Sequence, residues 1–237
     1  MKLLTRTAPL TLLLLAACGG EASQEENTTT AESAETTSGR EREARANDSV
    51  QVEGLMGTIS AMAVQRGVEP KMGRFLRCFT NRYDAVEVLG GHFEMAFRVA
   101  RDGSVLWVYP RASTIGDRET ERCLLDVAAG IHFSEPHGGE AEFAYPIELD
   151  PPEDVRPPTF WDPSRVADAV ERQASRMSCS GHFAVTAYVE PGGDVIAAGA
   201  SSSEQVTAEQ LDCVTQAVAG WTMPTPGSYP AKVTFEL

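Results

Sequence analysis

The sequence predicts an α+β fold in which one unit of two helices and three strands is used twice. Three observations carry that reading: a repeat held in one register, cysteines at equivalent places in the two copies, and the same succession of helical and alternating apolar patterns in each. Sliding the chain by 90 positions superimposes Gly91-His92-Phe93 on Gly181-His182-Phe183, Gly103-Ser104-Val105 on Gly193-Asp194-Val195, Cys123 on Cys213, Gly130 on Gly220 and Pro136 on Pro226, without a gap. Such a repeat decides domain count and cysteine pairing together. The expected division is a leader over 1–17, a tether over 18–50, a first unit over 51–150, a proline-rich hinge over 151–160 and a second unit over 161–237.

The elements follow in order. A short helix over 59–65 precedes one that Pro70 opens, where a first helical turn tolerates proline. Met72, Phe75, Leu76, Phe79 and Tyr83 then recur at helical spacing as one apolar stripe. Phe93, Met95, Phe97 and Val99 alternate with His92, Glu94, Ala96 and Arg98, the pattern of a strand with one buried face. Asp102-Gly103 is a hairpin signal, because glycine accepts the positive φ such turns need. A return strand follows over 104–109, then a helix over 118–129 with Asp117 as N-cap and Gly130 as its stop, then a strand carrying Phe143, Tyr145 and Ile147.

After the prolines at 151, 152, 157 and 158 the order repeats. Asp162-Pro163 starts a helix with Val166, Val170, Ala174 and Met177 on one side. Phe183, Val185, Ala187 and Val189 alternate, Gly192-Gly193 turns the chain, and a strand returns over 194–198. Thr207 and Gln210 form a capping box for the helix that ends at Gly220, and Val233, Phe235 and Leu237 close the unit. Gly91 follows Cys78 by 13 positions whereas Gly181 follows Cys179 by two, so the second copy lacks the linker between first helix and first strand.

The leader and the charge bound where the chain works. Lys2 and Arg6 precede a short apolar run over 8–17, too short to span a hydrocarbon core, and then Cys18-Gly19-Gly20. Leu15-Ala16-Ala17-Cys18 resembles a bacterial lipobox, in which the cysteine becomes the diacylated first residue. Two acyl chains hold a protein firmly on a bilayer while its polypeptide stays in water. Gly19 in place of an aspartate makes the outer membrane, facing the periplasm, the default destination. Residues 21–50 are rich in Glu, Thr, Ser and Ala with almost no large apolar side chains, the composition of a disordered tether. The formal net charge is −14. That acidity argues against nucleic acid and against docking on anionic lipid, both of which need clustered Lys and Arg.

One cysteine for lipid leaves four for two disulfides in an oxidising compartment. Four cysteines allow three pairings. The duplication favours the one that repeats inside each copy, Cys78 with Cys123 and Cys179 with Cys213, closing loops of 45 and 34 residues. Neither pair has a Cys-x-x-Cys arrangement that would mark redox chemistry.

The succession of a helix with a cysteine near its end, a strand, a glycine hairpin, a Ser-rich stretch before a helix with a second cysteine, a Gly-Trp and a proline-containing run into a final strand resembles the AgmX/PglI C-terminal domain family. That family is associated with myxobacterial envelope and gliding-motility proteins and is distantly similar to the TonB carboxy-terminal domain. The matching residues of the second copy are Cys179, Gly193, Ser201-Ser202-Ser203, Cys213, Gly220-Trp221, Pro224 and Pro226. Those of the first are Cys78, Asp102-Gly103, Ser113, Cys123, Gly130 and Pro136, with Ile131 in place of the tryptophan. The resemblance implies that each unit is a three-stranded antiparallel sheet with both helices on one side. It further implies that an exposed sheet edge takes up a partner strand through backbone hydrogen bonds.

Chemistry is otherwise sparse. No Gly-x-Ser-x-Gly elbow, His-Glu-x-x-His helix, P-loop or dinucleotide fingerprint occurs. His92 and His182 are equivalent and open their strands, His132 and His137 flank a proline loop, and no set of zinc donors assembles from them. Trp107, Trp161 and Trp221 read as core or hinge packing. The expectation is a non-enzymatic envelope lipoprotein with no cofactor or metal, acting as an interaction or scaffolding module for an envelope protein partner. The competing expectation is a protein that binds a small ligand or peptide in the groove between the two copies.

Overall fold

The computed structural model describes residues 56–237, so the leader, Cys18 and the tether lie outside the described residues. Helix α1 (Ala61–Val68) begins where the Ser60 hydroxyl accepts the Ala63 N–H, at 3.2 Å. One 3₁₀ turn containing Pro70 passes into α2 (Met72–Thr80). The expected apolar stripe is narrower than its spacing. Phe75, Cys78 and Phe79 are buried, whereas Met72 and Leu76 are 41% and 54% exposed. They lie on a side of α2 that nothing among the described residues covers, because Val64 and Val68 of α1 and the buried Val86, Val88 and Leu89 after α2 complete the packing.

Three strands follow, β1 (Gly91–Val99), β2 (Val105–Ser113) and, after α3 (Arg118–Ala129), β3 (Ala141–Leu149), in the antiparallel order β2-β1-β3. Asp117 caps α3 as expected, its carboxylate accepting the Thr120 N–H while Arg82 grips it with two bonds of 2.9 Å. Phe93, Met95, Phe97 and Val99 face the helices and form the core with Phe75, Phe79 and Leu124. The opposite face carries ion pairs instead, His92 with Glu148, Glu94 with Arg111, and Arg98 with Glu140 and Glu142.

The second half repeats this plan at the same offset. Its elements are β4 (Thr159–Trp161), α4 (Ala167–Ala174), β5 (Ala184–Val189), β6 (Val195–Ser201), α5 (Ala208–Ala219) and β7 (Ala231–Glu236). The β-bulge between Arg98 and Val99 recurs between Tyr188 and Val189, and the bridge between Ser104 and His132 recurs between Asp194 and Thr222. Gly103 and Gly193 have φ of +88° and +94°, and a Cβ on either would meet the carbonyl oxygen of Phe133 or Met223 at 2.1 or 2.6 Å. Only glycine fits that hairpin in both copies.

Two features of the second half depart from the expectation. Val166 leads into α4 only after a 3₁₀ turn at Pro163–Arg165, and Met177 lies beyond the helix end. The second sheet has four strands, in the order β4-β7-β5-β6, and is mixed rather than antiparallel. The prolines at 157 and 158 keep the chain extended. It then runs parallel to β7, with the Thr159 N–H donating to the Pro230 carbonyl at 3.0 Å and Thr159, Phe160 and Trp161 opposite Ala231, Lys232 and Val233.

Cys78 bonds Cys123 and Cys179 bonds Cys213, with Cα separations of 5.6 and 5.8 Å, so each bridge stays inside its own copy. In each case it ties the second helix of the copy to the end of the chain segment that carries the first. The two halves are not beads on a string. Tyr188 of β5 and Ala197 of β6 belong to the apolar core of the first half, so the second sheet is covered on both faces, while among the described residues the first keeps one face open. Among the described residues no helix is long and apolar enough to cross a membrane.

Candidate binding site

The contact between the halves buries a set of polar side chains, Glu121, Tyr188 and Lys232 foremost among them. Glu121 projects from α3 and is fully buried; its carboxylate accepts from Ser113 Oγ at 2.6 Å and from the Ala200 N–H at 3.0 Å. Burial raises its pKa from 4.5 to about 7, against the opposing pull of the Ser113 and Ala200 bonds and of Arg118. Around it Ser202 N–H donates to the Pro110 carbonyl, Ser113 N–H to Ser201 Oγ, and Thr186 Oγ1 to the Ser113 carbonyl. On the outer side Arg118 and Arg122 of α3 both bond Asp212 of α5, at 2.8 and 2.6 Å. Burial would raise the Asp212 pKa, but these two arginines hold it below the usual carboxylate range.

A folded-state pKa above the unfolded one means that the native protein binds the extra proton. The Glu121 contribution is therefore fully present below about pH 4.5 and is lost as pH rises through about 7. Glu121→Gln keeps an acceptor for Ala200 without the charge. Denaturant midpoints measured from pH 5 to 8 are expected to show a decline in the parent that the variant lacks, amounting to roughly 1–3 kcal/mol between them at the alkaline end.

At the other end of the same contact Tyr188 and Lys232 meet the backbone of Gly90. The Tyr188 hydroxyl donates to the Gly90 carbonyl and accepts its N–H, both at 3.2 Å, and Lys232 Nζ donates to the same carbonyl at 2.5 Å. Burial raises the Tyr188 pKa, with the charges of Asp117 and Glu121 adding to it and the Gly90 bond opposing it, and burial lowers that of Lys232 to about 8. Lys232 is 6% exposed, and among the described residues no carboxylate pairs with it. A cavity of about 480 Å³ opens beside it, lined by Val88, Pro151, Pro158, Phe160 and Trp161 among others. Trp161 is buried, and among the described residues its indole N–H has no partner.

The residues singled out from sequence fall elsewhere. His92 and His182 do come together, in a separate cleft of about 370 Å³ that they share with Arg111 and Ser201–Ser203; His92 Nδ1 lies 2.6 Å from Glu148. His132 and His137 are exposed on bridges to Ser104 and Thr58. Among the described residues no three His, Cys, Asp or Glu side chains converge as metal ligands would. Trp221 stacks on Phe235 in the second core, Trp107 lies beside Tyr109 on the open face of the first sheet, and Trp161 lines the cavity.

Glu121, Lys232 and the strand β4 escaped the sequence reading, yet the repeat holds a signal for each side chain. Glu121 stands where the second copy has the core residue Leu211, and Lys232 stands where the first has the exposed Glu142.

The sheet edges form the second candidate surface. β2 and β6 meet each other across the contact between halves, and β4 covers β7. β3 spans nine residues and, among the described residues, no strand pairs with its outer side. Comparison with protein families, with curated proteins and with solved structures finds no match.

Proposed function

We propose that this chain is a lipid-anchored envelope protein, diacylated at Cys18 and held on the periplasmic face of the outer membrane by the 18–50 tether, whose folded part is a non-catalytic interaction module. On this reading the two halves are AgmX/PglI-type, TonB-like units, and the module serves an envelope assembly by taking up an extended segment of a partner protein on the outer side of β3. The observation that carries the reading is internal to the fold: β7, the equivalent of β3 in the other copy, has its edge occupied by β4, a segment from outside the repeat lying parallel to it. The same strand geometry at Ala141–Phe143 has no such occupant among the described residues. An open strand edge offers unpaired backbone groups to a second chain, and natural proteins keep such edges short or covered unless they are used.

Pro146 supports the assignment of β3 as an edge, since proline is confined to edges and bulges. The test uses the membrane-attached chain carrying a photoreactive residue in place of Glu142. Cross-linking is expected to capture one envelope protein through an extended segment, and a synthetic copy of that segment is expected to bind the parent. Capture of the same proteins by a photoreactive residue placed at Glu171, on the far helix α4, would defeat the reading, as would a captured segment that does not bind.

A further inference from the structure

We propose that the cavity between the halves is a binding site for a small carboxylic acid with an apolar body, its carboxylate held on Lys232 Nζ. This inference is independent of strand addition at β3. A buried ammonium without a counter-charge is costly in a folded protein, and proteins pair such groups or use them for a ligand. Lys232 is buried, unpaired among the described residues, and positioned by Gly90 and Tyr188 at the wall of the cavity rather than in solid core.

The rest of the lining says what the anion is attached to. Pro151, Pro158, Phe160 and Trp161 offer apolar surface, and about 480 Å³ lies within the range of sites that enclose small organic molecules. Trp161 lends the wall aromatic surface; its indole nitrogen is itself buried away from the cavity. One cation, with the carboxylate of Asp150 also lining the cavity, suits a single negative charge rather than a multiply charged anion. A phosphate would call for an arginine fork, and among the described residues no arginine lines this cavity.

Lys232→Met is the informative variant. The Gly90 carbonyl it releases still receives the Tyr188 hydroxyl, so the change removes the charge without orphaning the backbone. Calorimetric titration of the full chain with octanoate and with phenylacetate, each beside its neutral amide, separates aliphatic from aromatic acids. At least one acid is expected to bind saturably, with its amide weaker by roughly 10–100-fold. Lys232→Met is expected to bring that acid down to the affinity of its amide while unfolding no earlier than the parent. Failure of both acids to bind, equal binding of acid and amide, or undiminished binding of the acid by Lys232→Met would overturn the proposal. Should Lys232→Met fail to fold, the comparison of acid with amide on the parent chain still decides it.

Discussion

Gly199→Ala is expected to force the two halves apart. A Cβ at this position would lie 2.2 Å from Glu121 Oε1 and 2.7 Å from its Cδ, and the carboxylate cannot step aside because Ser113 and the Ala200 N–H hold it. The first copy has Tyr109 at the equivalent place, so the glycine is a clearance that only the second sheet needs, where it lies against α3. Overpacking together with a broken buried hydrogen-bond pair sets the loss at about 3 kcal/mol or more. Urea denaturation of the oxidised protein measures it. In a Glu121→Ala background the same glycine substitution should cost much less, since the clash and the bonds are gone together. Additive losses, or a Gly199→Ala protein as stable as the parent, would mean that α3 and β6 are not in contact.

Removing either cysteine pair is expected to cost about 4 kcal/mol in the chain-entropy account, for closed loops of 45 and 34 residues. The two losses should differ in kind. α2 of the first half still buries Phe75 and Phe79, so Cys78→Ala with Cys123→Ala lowers global stability while its helix stays in place. α4 buries only Ala169 along its length, and the segment after it reaches α5 through Cys179. Cys179→Ala with Cys213→Ala should therefore also release α4, seen as rapid amide exchange over Ala167–Ala174 before any global unfolding. Stability within about 1 kcal/mol of the parent for both double variants would show that the bridges contribute little to the stability of either half.

The repeat made much of this fold legible. α3 and α5 are exact 90-residue translates, and the cysteine pairs, the N-caps Asp117 and Thr207 and both hairpin glycines were readable from residue type and spacing alone. Local patterns fail where the two copies stop being equivalent. β5 reads as a strand with one buried face, because Phe183, Val185, Ala187 and Val189 alternate with other residues. Its second face is buried too, against the first half. The trace of that lies in substitutions between copies: Glu94 and Arg98, paired with solvent-facing partners, become Ala184 and Tyr188.

The same reason hid Lys232. In β7 it alternates with Val233 and Phe235 and so takes the face that is wet in β3, yet here that face meets Gly90 and Tyr188. β4 was invisible for another reason. Three residues between proline pairs and a 3₁₀ turn carry no periodicity, and only the partner strand makes them one. Glu121 and Arg118 sat in a helix whose charges read as a solvated face, although the counterpart of Glu121 is Leu211.

Residue-resolved amide hydrogen exchange of the oxidised full chain tests the asymmetry of the two edges most directly. The outward-facing amides of β7 over Ala231–Val233, which β4 covers, are expected to exchange slowly; their counterparts over Ala141–Phe143 of β3 should exchange fast in the isolated protein and slow down when a partner segment is added. Equal protection of the two edges in the isolated protein, or β3 amides that stay fast with the segment bound elsewhere, would contradict an open edge kept for a partner strand.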